Sequence, residues 1–362
     1  MPNIKKTSIP KAIIHALPEK RISNDDLLLR FSDDIVPYLK LTGIQNRSVV
    51  AEGQCASDLA FVAVKKLFEV TDIEPESIDL LTFCTSTPDY RMPATACILQ
   101  DRLGLPKHCC TMDILHASPA FVHNMAVVHG MLVSGTAQRA LAINADAVTQ
   151  LIHPHDHSLA VVHGDGAVAV VMEAQAVTEG GIEWFEFGTD GSQWQHLSLC
   201  GGMGREPYPF DPLLQEHSSS HDETKASPYY LKMDGTEIFH FAVHKIPVFI
   251  NETLRKHGCD IGDYDLVLLH QANRLIVDMI YMILKVPQTS RFYYLENVGN
   301  LSSASLPATF SEAFAQGKIR PGSRTLLCGF GAGLSWGAFS IQWPQELSVH
   351  TLGEIVASWP II

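Results

Sequence analysis

The sequence predicts an α/β fold with buried, mostly parallel strands, and three features predict it. Short apolar β-type runs alternate with longer helical stretches along the chain. The runs are nearly continuous in apolar residues, as strands covered on both faces are. Hydrophobic residues make up 46% and charged residues 18%, enough apolar material for a large core.

The elements follow in order. Ile78-Asp79-Leu80-Leu81-Thr82-Phe83-Cys84 reads as a buried strand. Pro93 is placed to open a helix as its first residue, and Gly104 to close it. Thr111–Leu115 and Ala140–Asn144 are two further strands, and Ala167–Met172 is a fourth, entered through Gly164-Asp165-Gly166. Residues 191–229 are rich in Gly, Ser, His and Pro, and Glu216–Glu223 within them reads as a solvated loop. Ile238, Ala242, Ile246, Phe249 and Ile250 then recur at helical spacing, with Pro247 set to kink that helix or break it. Asp265–His270 repeats the pattern of Asp79–Cys84, and Gly329-Phe330-Gly331-Ala332-Gly333 precedes a late strand as Gly164–Gly166 precedes an early one. These counterparts lie roughly 165–185 residues apart, which implies an internal duplication into halves 1–175 and 176–362.

Composition excludes several classes. Lys plus Arg is 26 against 39 for Asp plus Glu, a net charge of −13, which argues against a nucleic-acid partner. No apolar run reaches the roughly 18 residues of a membrane helix. The apolar stretch after Lys5, Lys6 and Lys11 ends at Pro18 and makes a poor signal peptide. Eight cysteines without a CxxC pair are no disulfide framework and point to a reducing, cytoplasmic setting. His153-Pro154-His155-Asp156-His157 resembles a metal tract. Three histidines that close, interrupted by proline, cannot all face one ion from regular structure, so no metal is assigned. Gly164-Asp165-Gly166 lacks the spacing of a dinucleotide loop, and no cofactor is implied.

Three separated segments carry candidate chemistry. Asp113-Ile114-Leu115-His116-Ala117-Ser118-Pro119 leads from a strand into an apolar helix. Ser118 there is either a helix cap or a nucleophile over the positive end of a helix dipole. His270, in Leu269-His270-Gln271-Ala272-Asn273, ends a buried strand, where α/β folds place site residues; it is a general base or a core histidine. Asn300, in Val298-Gly299-Asn300-Leu301-Ser302, is an amide donor or a turn residue.

Together these segments resemble the β-ketoacyl-acyl-carrier-protein synthase III family of the thiolase superfamily. The resemblance also covers Leu17-Pro18, Asn24 to Leu27, Thr42-Gly43-Ile44 with Arg47, Gly164-Asp165-Gly166-Ala167, and Gly329 to Gly337. It implies a duplicated five-layer αβαβα fold and a homodimer. It places the family's catalytic histidine on His270, its asparagine on Asn300, and its nucleophilic cysteine on Ser118. Backbone N–H groups of Ser118 and Ala332 would form the oxyanion hole. Met92 would close the partner's acyl pocket. The family's adenine clamp falls on Pro37, Leu41 and His157 and is lost, which favours a carrier-bound donor over a free CoA ester. Arg274 would dock the acidic carrier.

Serine in place of cysteine changes the chemistry. A thiol is partly ionised near neutral pH and a hydroxyl is not, so Ser118 needs an explicit base, expected to be His270. The resulting ester is less reactive toward carbon nucleophiles than a thioester. Transfer to an oxygen, nitrogen or sulfur acceptor therefore stands beside decarboxylative condensation with malonyl-carrier. The other openings are a catalytically idle subunit, or a native cysteine replaced by serine.

Overall fold

The computed structural model describes residues 6–207 and 227–360. The loop expected at Glu216–Glu223 lies outside them. Ten strands build two sheets: β1 (Lys6–Pro18), β2 (Leu80–Thr85), β3 (Cys110–Leu115), β4 (Arg139–Asp146), β5 (Gly166–Ala176), β6 (Gly181–Thr189), β7 (Leu266–Leu269), β8 (Arg324–Gly331), β9 (Ser335–Gln342) and β10 (His350–Ala357). The first sheet has the order β10-β1-β5-β4-β2-β3, the second β7-β8-β9-β6. The strands predicted at Ile78–Cys84, Thr111–Leu115, Ala140–Asn144 and Asp265–His270 match β2, β3, β4 and β7 to within two residues at either end, while the one predicted at Ala167–Met172 matches the start of β5, which runs four residues further to Ala176.

Pairing repeats between the sheets. β2 runs parallel to β4, β4 antiparallel to β5, and β5 antiparallel to β1. In the second sheet β7 runs parallel to β8, β8 antiparallel to β9, and β9 antiparallel to β6. Even the β2–β3 pairing has a counterpart, a single parallel bridge between Val267 and Arg291. The last strand, β10, lies parallel to β1, so the first sheet takes a strand from residues 176–362.

Five principal helices fill the layers: α1 (Ala56–Val70), α2 (Thr95–Arg102), α3 (Ala120–Val133), α4 (Arg274–Ile283) and α5 (Ser305–Ala315). α3 and α5 form the central layer. Their Phe121, Met125, Val128, Leu306 and Phe310 pack with Ile13 and Val168 of one sheet and Leu268, Leu327 and Phe339 of the other. α1 and α2 cover the outer face of the first sheet through Leu59, Val64, Leu67 and Leu99. Ile246–Lys256 and α4 cover the second through Ile250, Leu254, Val277 and Ile280. This is the five-layer αβαβα fold.

Two helix starts differ from expectation or refine it. Pro93 is not the first residue of its helix; α2 begins at Thr95. The Asp113 carboxylate on β3 accepts from the amides of both Thr95 (2.6 Å) and Ala96 (2.8 Å), so a neighbouring strand caps this helix. Gly104 does follow the helix end, with φ +69°. Near Pro247, helix Gly235–His240 passes through a π turn at Phe241–Lys245 before Ile246–Lys256 continues, so the expected kink or break takes the form of a π turn directly before the proline and the backbone stays helical through it.

Candidate active site

Ser118 lies three residues past β3, at the entrance to α3. The N-cap position itself belongs to Pro119, which makes no side-chain cap bond, so Ser118 is not the helix cap. Its approach to β8 is close. A Cβ on Gly331 would stand 2.8 Å from Ser118 Cβ and 3.1 Å from its Oγ, and one on Gly329 would stand 2.9 Å from Pro119 Cα. Only glycine at these two positions lets the end of β8 lie against the serine turn.

Two cavities meet at this turn. One, of about 580 Å³, is lined by Ser118, His270, Asn300 and Phe330, with Tyr38, Leu41 and Ser158 among its other walls. The other, of about 430 Å³, is lined by Ser118, Ala332, Ser302, Leu151, Tyr90 and Arg91, among others. Ser118, His163 and Leu197 are the residues common to both. The three residues proposed from sequence therefore share the larger cavity, and Ala332 joins Ser118 in the smaller one. Among the described residues the amides of Ser118 and Ala332 donate to no other group.

His270 follows β7, its amide held by Cys328 O at 2.9 Å, and its ring stands edge-on to Phe330. It is buried, and Nδ1 has no hydrogen-bond partner among the described residues. Burial, with a smaller contribution from His163, pushes its pKa down to about 3, so the ring is neutral. Asn300 is fixed by backbone and side chain: its N–H donates to Val162 O (2.9 Å), its C=O accepts from Gly164 N (3.0 Å), and Oδ1 accepts from Ser302 N (2.9 Å). That last bond leaves the NH₂ group of the carboxamide as a donor. Gly164 is required here, since a Cβ would meet Val298 O at 2.1 Å.

His163 was not among the residues singled out from sequence. It is buried, and the parallel bridge that pairs it with Asn300 sets it in the site. The available signal was its place directly before Gly164-Asp165-Gly166, at the mouth of a buried strand.

Arg274 opens α4 at the rim of the larger cavity. Its guanidinium lies 3.8 Å from the Tyr293 ring centroid and pairs with Asp278 at 2.9 Å, while 47% of the side chain remains exposed. Met92 is 82% exposed beside Tyr90 and Arg91 of the smaller cavity. Around the lost clamp positions, His157 packs its ring 5.7 Å from Tyr38 and 6.1 Å from Phe31. His153 instead packs on Tyr230.

Two paired sheets around a central helix layer, with the candidate residues gathered where two cavities join, define a thiolase-fold protein. Among solved structures, a 3-oxoacyl-(acyl-carrier-protein) synthase III superposes with TM-score 0.86 at 31% identity, covering 93% of this chain and all of that one. A priming β-ketosynthase from a polyketide pathway superposes with TM-score 0.80 at 25% identity, covering 95% and 98%. The chain belongs to the β-ketoacyl-acyl-carrier-protein synthase III family. Residues 112–191 match the family described as 3-oxoacyl-[acyl-carrier-protein] synthase III, and 254–343 match its C-terminal region. The chain is 34% identical over 330 residues to a synthase III of Bacillus cereus, covering 90% of this chain and 96% of that one. It is 34% identical over 331 residues to the chloroplast synthase III of Arabidopsis thaliana, covering 91% and 81%. No helix among the described residues is long and apolar enough to cross a membrane.

Proposed function

We propose that the chain is an acyltransferase that draws an acyl group from a carrier-protein or CoA thioester onto Ser118 and passes it to an acceptor. The observation that carries this reading is the gathering of Ser118, His270 and Asn300 on one cavity, with Ala332 facing Ser118 from a second. In the first half-reaction the Ser118 and Ala332 amides hold the oxyanion of the tetrahedral intermediate. In the second, the neutral His270 and the NH₂ donor of Asn300 act on the acceptor. Both imidazole and carboxamide could instead hold a malonyl thioester carbonyl through decarboxylation, so C–C condensation is the second reading; the free Asn300 donor supports it.

The acidic carrier docks at the cavity rim near Arg274, and a second copy of the chain covers the exposed loop at Met92, so that the enzyme is a homodimer. Halves 1–175 and 176–362 are taken as the duplicated units, supported by the repeated strand pairing.

Intact-mass analysis after incubation with acyl-carrier and acyl-CoA donors tests this. The expected result is one acyl adduct that maps to Ser118 and is missing in Ser118→Ala. No adduct with any donor would leave an idle family subunit. Carbon dioxide release from malonyl-carrier by the acylated protein would select condensation over simple transfer.

A further inference from the structure

Ser118 shares both of its cavities with an imidazole that the family resemblance did not supply. His163 and Ser118 both face both cavities, whereas His270 and Asn300 face only the larger one. His163 Nδ1 lies 3.2 Å from Leu159 O. A carbonyl only accepts, so Nδ1 carries the hydrogen and Nε2 is left as the basic nitrogen. The ring is held by that bond and by the backbone bridge to Asn300. Burial lowers its pKa, as it does for His270, while the Leu159 carbonyl and the carboxylates of Asp156 and Asp146 act in the opposite sense and favour a proton there. His270 lacks such a bond: among the described residues its buried Nδ1 has no hydrogen-bond partner to fix the tautomer or to stabilise an imidazolium.

We propose that His163 is the catalytic base for Ser118, and that the two imidazoles divide the reaction between them. This rests on the acyl-Ser118 reading above and deepens it. The Ser118 Oγ–H proton passes to His163 Nε2 as Oγ attacks the thioester carbonyl carbon. The C–S bond then breaks, and the departing thiolate takes that proton from His163. The products are the acyl-serine ester and the free carrier thiol, with His163 neutral again. His270 and Asn300 are kept for the acceptor. The pairing explains how a hydroxyl can serve where a thiol would need no strong base: it comes with a second histidine that lines the same two cavities.

The test is the single-turnover rate of Ser118 acylation, followed by intact mass with acetyl, butyryl and octanoyl thioesters of CoA and of N-acetylcysteamine. In His163→Gln the rate should fall by about 100-fold or more, the range of a lost general base, and further than in His270→Gln. In the Ser118→Cys background the same His163→Gln change should cost far less, because a thiol ionises without a strong base. That double variant also reports on folding. A wild-type protein that forms no adduct overturns the acyl-Ser118 reading itself. A wild-type protein that acylates while His163→Gln acylates as fast, or loses less than His270→Gln, overturns the role of His163 alone. Equal slowing of the serine and cysteine proteins would make His163 a packing residue and refute the base assignment.

Discussion

Gly331→Ala tests whether the contact between β8 and the serine turn sets the reaction geometry. The added Cβ would stand 2.8 Å from Ser118 Cβ, where ordinary contact begins at 3.4 Å, so the two must separate by 3.4 − 2.8 = 0.6 Å. The strand cannot slide to relieve this, because Gly329 already lies against Pro119, where a Cβ would be 2.9 Å from Cα. Pro119 in turn anchors the start of α3. The displacement therefore falls on Ser118 and on the Ala332 amide beside it. A misplacement near 1 Å costs about 100-fold, so a shift of this size should slow acylation by about 10- to 100-fold. Overpacking should cost about 1–3 kcal/mol of stability. Acyl-adduct time courses by mass spectrometry and urea unfolding read the two effects separately. Acylation at the wild-type rate in a destabilised Gly331→Ala protein would show that the close approach serves packing and not catalysis.

Two further outcomes concern stability. His15 is buried and neutral, its Nε2 2.7 Å from Tyr294 Oη and its Nδ1 3.0 Å from Ser311 Oγ. Tyr294 gives its proton to Glu354, which pairs with Arg21, so Nε2–H donates to Tyr294 and Nδ1 accepts from Ser311. Burial, with the Arg21 charge, lowers the His15 pKa to about 3. The unfolded chain takes a proton below about 6.5 and the folded chain only near 3. His15 therefore supports the fold fully above pH 6.5, and that support fades on acidification through the window down to 3. Wild type should lose about 2 kcal/mol between pH 7 and 5 that His15→Gln does not lose, by urea unfolding at each pH; identical pH slopes would contradict this. Asn273 caps α4 through Oδ1 and the Ile276 amide at 2.9 Å, so Asn273→Ala should cost about 1 kcal/mol in the same assay.

The sequence was legible where local chemistry decides. Leu80–Cys84 and Leu266–Leu269 read as strands because continuous apolar runs fit only between two helix layers. The site segments were legible because each pairs a strand end with a polar residue. Contacts from distant chain were not legible. The start of α2 is set by Asp113 on β3, which no rule about Pro93 contains. His163 sits directly before Gly164-Asp165-Gly166, and only its bridge to Asn300, 137 residues later (300 − 163), brings it to the cavities that Ser118 lines. The order of β10 beside β1 likewise depends on pairing across nearly the whole chain.

Gly331 reaches Ser118 from 213 positions further along (331 − 118), and this has a consequence for synthesis. As the chain leaves the ribosome, the serine emerges long before the hairpin of β8 and β9 that shapes its surroundings. Until that hairpin docks, the walls supplied by Phe330 and Gly331 and the amide of Ala332 are missing from the two cavities at the hydroxyl. A truncated product that lacks the hairpin therefore cannot complete either cavity at Ser118.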